Sequence, residues 1–426
     1  MSHQPTSPTI KPPAFENHAQ WNDVKAVCAK LRAGGFQALL AGGCVRDFLM
    51  GREPNDFDVA TDATPDQIEG LFERAVTVGK AFGVIILPYA GFQIEVATFR
   101  EDLEYKDGRR PEGVKFSTAK ADAQRRDFTV NALFYDLETD EVIDFVDGRK
   151  DLSERLLRTV GPPNQRFDED KLRILRAIRF SAQLDFDIDA GTLQAIKDRA
   201  TDVSVVSHER IRDELFKLLK SPNRLRGLEL LLSTKVIEGA LPGLAASIYA
   251  KKDIWLKSFA ISEIPHADLL SHLALLLWPV FQNEQEFRKL AGASLRLENQ
   301  QIENLTAIFK NLPIVLQPGS ARKGELAFLL TKEFAPQLLA VADTLARAGA
   351  FSCADDTRSV WNKALISARP DGTTPAQPLA TGKDLLTWGL SPGPQMGEIL
   401  REAFLLQLEG AFNSRAEVET WVRTKT

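Results

Sequence analysis

The sequence predicts an α+β protein: an N-terminal α/β head with a small mixed sheet, followed by an all-α neck, body and tail. Three observations carry this reading. From about residue 21 to 150, short β-type runs alternate with helical stretches. Beyond about residue 165, long segments of 3.6-residue periodicity dominate and few alternating runs remain. The stretch ARPDGTTPAQPLA at 368–380, rich in turn residues, then punctuates the chain before a last segment. A chain of 426 residues has room for about two to four domains. The expected organisation is a flexible arm at 1–20, a head at 21–158, a helical neck at 159–230, a helical body at 231–367 and a helical tail at 368–426.

Taken in order, FQALLAGG (36–43), DFDVAT (56–61), residues 83–91, QIEVATF (93–99) and TVNALFYDL (129–137) are strand or strand-edge candidates. Between the first two, a helix is expected at Val45–Met50. ATPDQIEGLFERA (63–75) reads as a helix, with Thr64 as N-cap, Pro65 at the first helical position and Glu69 in the early turns. The later chain gives helical patterns at 168–184, 207–220 and 224–234. LSHLALLLWPVF (271–282) is the most hydrophobic run, and its length fits a buried helix. No stretch approaches the roughly 18 uninterrupted apolar residues of a membrane span, so no membrane partner is expected.

Composition narrows the function. With 53 Lys+Arg against 58 Asp+Glu, the net charge of −5 offers no bulk positive field for general nucleic-acid binding. No DNA partner is expected. Cys28, Cys44 and Cys353 are odd in number and widely spaced, which suits neither a disulfide framework nor a CxxC metal site. The first residues, MSHQPTSPTIKPPAFENH, lack the apolar core of a signal peptide, and a reducing, cytoplasmic setting is expected.

The densest chemistry runs through AGGCVRDFLMGREPNDFDVATDATP (41–65). Gly42 and Gly43 leave a strand and precede a helix, an arrangement that lets backbone N–H groups approach an anion such as a triphosphate. Alone, such a pair is more often a tight turn. Arg46 and Asp47 fall in the first helical turn, where Arg46 can add charge-assisted bonds to phosphate oxygens. Asp56 and Asp58 follow. In a strand, residues i and i+2 share a face, so both carboxylates aim at one spot and repel unless protonated or bridged by a cation. Hard oxygen donors favour Mg²⁺. Glu95, between Ile94 and Val96 in a second apolar strand, is a candidate third acid. Three acids of this kind suit two-metal phosphoryl transfer.

GGCVRDFLMG followed by DFDVAT resembles the signature of class II tRNA nucleotidyltransferases and bacterial poly(A) polymerases. AQRRDFTVNALFYD (123–136) is similar to the family's RRDFTxNA motif, and RFDEDKLRILRAIRF (166–180) to its EDxxRxxRxxRF motif. The resemblance implies a nucleotidyltransferase head, a neck that recognises the base, and a tail that binds tRNA. It implies that Arg126 contacts the nucleotide phosphates, while Asp127 and Asn131 help select ribose. An aspartate there equally suits a helix N-cap.

In the second motif Asp170, Arg173, Arg176 and Arg179 recur every three residues and occupy one arc of a helix, while Ile174, Leu175 and Ile178 occupy the other. A solvated charged face is the plain reading of such spacing. The sharper reading makes Asp170 and Arg173 a base template. A carboxylate accepts from an exocyclic amine and a guanidinium donates to a ring acceptor, which admits cytosine and adenine and rejects uracil and guanine. By resemblance, Arg176 and Arg179 also contact nucleotide.

EDLEYKDGRRPEGVKF (101–116) looks like the family's flexible loop, VDGRKDL (146–152) its hinge, HERIRDELFKLL (208–219) its neck helix, and GKDLLTWGLSPGPQMGEIL with Gly410 and Trp421 its tail. Cys44, where the family usually has a smaller residue, reads as packing. His266, Asp268 and His272 do not reproduce the metal-dependent hydrolase pattern some relatives carry, and no second hydrolase activity is expected. The expectation is CCA addition to tRNA from CTP and ATP, with Mg²⁺ as cofactor and without a nucleic-acid template. Poly(A) polymerase and an A-only or CC-only enzyme are the alternatives. A non-catalytic RNA-binding relative would be expected to have lost one of the three acids, and none is missing.

Overall fold

The computed structural model describes residues 18–76, 82–89, 91–102, 113–281 and 283–425. The expected arm therefore lies outside the described residues up to 17, as does the expected loop from 103 to 112. The chain divides into two compact units, Met1–Glu214 with Leu230–Ala240, and Leu215–Glu229 with Leu241–Thr426.

The first unit is built on a six-stranded sheet. In chain order its strands are β1 (Ala38–Ala41), β2 (Asp58–Thr61), β3 (Val84–Tyr89), β4 (Phe92–Thr98), β7 (Phe134–Asp136) and β8 (Glu141–Ile143), arranged β3-β4-β2-β1-β7-β8. Two short pairs lie outside it, β5 (Arg100–Asp102) with β6 (Val114–Phe116), and β9 (Leu156–Leu157) with β10 (Asp187–Ile188). Only β2 and β4 pair in parallel within the large sheet; its other neighbours are antiparallel. The helices of this unit are α1 (Trp21–Ala33), α2 (Gly43–Leu49), α3 (Pro65–Leu71), α4 (Ala119–Arg125), α5 (Gly148–Ser153), α6 (Pro163–Glu169), α7 (Leu172–Leu184) and α8 (Ala190–Asp198), and α9 (His208–Leu219) begins in it.

Strand alternation divides the side chains between two apolar clusters. Ala38, Leu40, Val59, Ile94 and Val96 pack with Val24, Val27 and Leu31 of α1 and Ile68 of α3. Leu39, Ala41, Ala60 and Phe134 point the other way, toward Ala119 and Ala123 of α4. Covering both faces explains why β1, ALLA, is buried at every position and not at alternate ones.

Most expected elements form within a few residues of their anticipated ends. Three differ. The TVN of TVNALFYDL is a turn of 3₁₀ helix, Thr129–Asn131, and only Phe134–Asp136 is strand. The helix at 63–75 stops at Leu71; Thr64 is its N-cap and Pro65 its first residue, as expected, and Gln67 completes a capping box. The periodic run at 168–184 is two helices, broken at Asp170 and Lys171. Asp170 has φ −148° and ψ 107°, and its carboxylate accepts from the Leu172 N–H at 3.0 Å. That side-chain bond competes with continuing the helix, so Asp170 leaves the arc on which the spacing placed it.

The second unit is helical among the described residues. Leu269–Leu277 is the buried helix expected from LSHLALLL; Asp268 caps it through Ser271, and a 3₁₀ turn at Trp278–Val280 follows. His272 lies fully buried with Nε2 3.1 Å from the Pro265 carbonyl, and burial pushes its imidazole down to about 4, so it packs as a neutral ring. Leu385, Trp388, Val418 and Val422 form a further core near the C-terminus, and Arg322 bonds Glu409 at 2.6 Å and Glu402 at 2.7 Å. Among the described residues, no helix is long and apolar enough to cross a membrane.

The VDGRKDL segment packs unusually closely. A Cβ on Gly148 would stand 2.2 Å from the Thr129 carbonyl oxygen, and the Asp144 carboxylate ties down the N–H groups of Val146, Gly148 and Arg149. Gly148→Ala must therefore push α5 off the Thr129 turn, at an expected cost of about 1–3 kcal/mol. Urea denaturation checks this, and an unchanged midpoint and slope would contradict it.

Candidate active site

The parallel register of β2 and β4 sets Asp58 directly beside Glu95. Asp56 precedes the strand, which begins at Asp58 and not at Asp56 as the sequence pattern suggested. Phe57 between them is buried in the core while Asp56 is exposed, so the chain still alternates across this stretch. Burial, then the charges of Asp56 and Glu95, push the Asp58 carboxyl up to about 7, against the opposing pull of Arg126. A carboxylate driven this far toward neutrality, by burial first and by acidic neighbours next, sits where a cation would relieve repulsion.

Gly42 lies at the junction of β1 and α2 with φ +76°, and its N–H bonds the Leu133 carbonyl at 2.9 Å. A Cβ there would meet Arg126 Nη1 at 2.8 Å, so both the backbone angle and the guanidinium require glycine. Arg126 is fixed from two sides: its Nη1 donates to the Asn131 carbonyl at 3.0 Å, and its Nε donates to Asp122 at 3.1 Å. Asp122 is buried, yet Arg126 and Arg125 hold its carboxyl below the usual range. Arg46 is also buried; it donates to Asn131 Oδ1 at 2.6 Å and to Asp47 at 2.9 Å. Cys44, buried with its Sγ 3.3 Å from the Ala41 carbonyl, has its thiol pushed up to about 12 by burial, which makes it a packing residue.

Opposite the acids stands a web of ion pairs. Asp127 accepts from Arg176 at 2.6 Å and from Asn131 Nδ2 at 3.2 Å. Burial would raise its carboxyl, but Arg176 overrides that and holds it down at about 2. Arg176 and Arg179 share Glu214 of α9, at 3.6 and 2.8 Å. Phe180 receives three guanidiniums about its ring, those of Arg46, Arg176 and Arg179. Arg173 pairs with Glu169 and donates to the Arg125 carbonyl at 3.0 Å, while Asp170 pairs with Arg210 at 2.7 Å.

These groups enclose a cavity of about 400 Å³ lined by Gly42, Gly43, Arg46, Asp58, Arg125, Arg126, Asp127, Asn131, Asp170, Arg173, Arg176 and Phe180. Asp56 and Glu95 act on Asp58 from beside this lining, and Asp47 stands behind Arg46. Arg179 does not line the cavity: it is buried against Glu214 and Gln183. The sequence reading did not single out Asp122, Glu169, Arg210 or Glu214, the carboxylates and guanidinium that hold these arginines and Asp170. Glu169 and Asp122 lie within four residues of the arginines they hold; Arg210 and Glu214 are 35–40 residues from their partners, beyond the reach of local spacing.

The donor set suits a hard divalent cation. Among the described residues no three His, Cys, Asp or Glu side chains form a ready metal cage. Asp56 and Asp58 are the carboxylates that would hold such a cation, with phosphate oxygens and water completing the shell.

A sheet-borne acid group facing an arginine-lined cavity defines a nucleotidyltransferase head, and residues 38–158 match the family described as the poly A polymerase head domain. Residues 185–248 match the probable RNA and SrmB-binding site of polymerase A. A CCA-adding enzyme of Limosilactobacillus reuteri is 33% identical over 412 residues, 94% of this chain and 95% of its own. One from Bacillus pumilus is 47% identical over 215 residues, 50% of this chain and 53% of its own. The crystal structure of the Bacillus stearothermophilus CCA-adding enzyme in complex with CTP superposes with a TM-score of 0.78 at 28% identity, covering 96% of this chain and 98% of that one. The chain belongs to the CCA-adding enzyme family. Proteins built on this nucleotidyltransferase head generally use divalent metal ions.

The Asp127–Arg176 pair generates a pH-dependent prediction. The folded-state value of about 2 lies below the roughly 3.9 of a free aspartate, so its stabilisation is full above about pH 4 and fades as pH falls through 2. Asp127→Asn should cost on the order of 2 kcal/mol near pH 7 and progressively less below pH 4. Unfolding free energies measured across pH test this; a cost independent of pH would show that the charge is not what matters.

Proposed function

We propose that this chain adds the 3′-terminal CCA to tRNA in the cytoplasm, drawing on CTP and ATP without a nucleic-acid template. The observation that carries the reading is the meeting of Asp58, Arg126, Asp170 and Arg173 around one cavity. A phosphate-handling group and a base-reading group then address the same nucleotide. Family membership supports it over nearly the whole chain.

In this account Gly42, Gly43, Arg46 and Arg126 seat the triphosphate, its negative charge meeting fixed guanidiniums. Asp127 and Asn131 face the ribose. Asp170 accepts the exocyclic amine of C or A, and Arg173 donates to the adjacent ring acceptor. Asp56 and Asp58 would hold Mg²⁺, which when bound supplies neutralisation of phosphate charge and activation of the attacking hydroxyl. Glu95, next to Asp58, fixes the balance of charge at that point. The terminal 3′-hydroxyl of the RNA attacks the α-phosphorus; a new phosphodiester bond forms, the bond to the β-phosphate oxygen breaks, and pyrophosphate leaves. Arg176 acts through Asp127, and Arg179 through Glu214. The helical neck at 159–230 and the tail at 368–426 would guide the tRNA.

The decisive assay supplies tRNA transcripts ending before CCA, after C and after CC with CTP, ATP or both. Completion of CCA on the shortest transcript is expected. Long A tails on unstructured RNA would indicate a poly(A) polymerase instead, and extension of the CC-ended transcript alone would indicate an A-adding specialist. Asp58→Ala should abolish incorporation while leaving tRNA affinity within about twofold of wild type. Full turnover by that variant would remove Asp58 from the metal site.

A further inference from the structure

The first unit holds a second cavity, of about 420 Å³, that shares no lining residue with the nucleotide pocket. The two meet opposite ends of α2: Gly43 lines one, Leu49 and Met50 the other. A seven-residue helix separates its ends by about 10 Å. Three arginines line the second cavity, Arg52, Arg149 and Arg155, together with an apolar wall that includes Leu49, Leu152 and Phe186. Among the described residues, no carboxylate lines it.

Arg155 is anchored. It bonds Asp185 through both carboxylate and carbonyl, lies against the Phe186 ring, and sits at φ +53°. Arg52 and Arg149 form no ion pair among the described residues. This sets the cavity apart from the nucleotide pocket, where Arg46, Arg126, Arg173 and Arg176 are each paired with a carboxylate. Arg52 and Arg149 thus bring two guanidinium charges to one cavity with no acid partner of their own among the described residues, and a phosphate that accepts bidentate bonds would supply one. The apolar wall gives a ribose or base a surface to cover, and the volume matches sites for small ligands.

We propose that this cavity is a second site for a nucleoside phosphate, its phosphate on Arg52 and Arg149 and its ring toward Leu152 and Phe186. The nucleotide comes either free or as one residue of an RNA strand bound to the same molecule. The site does not depend on which nucleotides the first pocket incorporates.

The test compares the full chain with Arg52→Gln/Arg149→Gln and Arg52→Glu/Arg149→Glu, each checked for unchanged thermal unfolding. The probes are labelled CTP, by equilibrium dialysis, and a tRNA transcript ending before CCA, by filter binding at several salt concentrations. A free-nucleotide site predicts two CTP equivalents on wild type and one on both variants, with tRNA affinity unchanged. An RNA-residue site predicts one CTP equivalent throughout, with tRNA affinity falling roughly tenfold in both variants and the salt slope dropping by about 2. Unchanged CTP stoichiometry together with unchanged tRNA affinity and salt slope in the Gln variant would overturn the proposal. So would an effect confined to the Glu variant, because that reports repulsion by the new acids.

Discussion

A chain of charges, Asp127–Arg176–Glu214–Arg179, half-buried at one end and buried at the other, joins three segments that local structure alone would leave independent: the turn after α4, the helix α7, and the middle of α9. Arg179 and Glu214 are both buried, so removing either strands the other in a low-dielectric interior. That loss runs to about 3–5 kcal/mol, far above the worth of a surface pair. The chain fixes where α7 stands against the sheet, and so fixes Arg173 and Asp170 relative to Asp58. The nucleotide pocket depends on this placement.

Within that frame the arginines of the pocket divide by role. Arg46 and Arg126 are held by Asn131, Asp47 and Asp122 with their guanidiniums toward the cavity. Arg179 is wholly internal. Holding each arginine with a carboxylate reduces mutual repulsion and fixes the donors before a substrate arrives, which lowers the ordering cost of binding. The acid side has the opposite character, since Asp56, Asp58 and Glu95 repel one another. That asymmetry, satisfied arginines facing unsatisfied acids, is what a site for a metal-bound polyphosphate requires.

Much of this was legible along the sequence. The Gly42-Gly43 turn, the Asp56 and Asp58 spacing and the apolar strand around Glu95 follow from period-two alternation and turn chemistry. The break at Asp170 was not legible, because its periodicity is that of an unbroken helix and only the carboxylate's bond to the Leu172 N–H reveals the stop. Nor were Arg210 and Glu214, since long-range ion pairs leave no local pattern. The family resemblance makes Arg179 a nucleotide contact, whereas Glu214 draws its guanidinium inward, away from the cavity lining. A net charge of −5 first argued against RNA, yet the basic groups that matter are concentrated by motif, so an RNA would be gripped locally.

In the proposed function the protein itself, through Asp170 and Arg173, reads the base. The most direct measurement is equilibrium binding of CTP, ATP, UTP and GTP to the full chain with Mg²⁺ present and RNA absent. CTP and ATP should bind at least about tenfold more tightly than UTP and GTP, because a carbonyl facing the Asp170 carboxylate sets one acceptor against another. Equal affinity for all four nucleotides would contradict it.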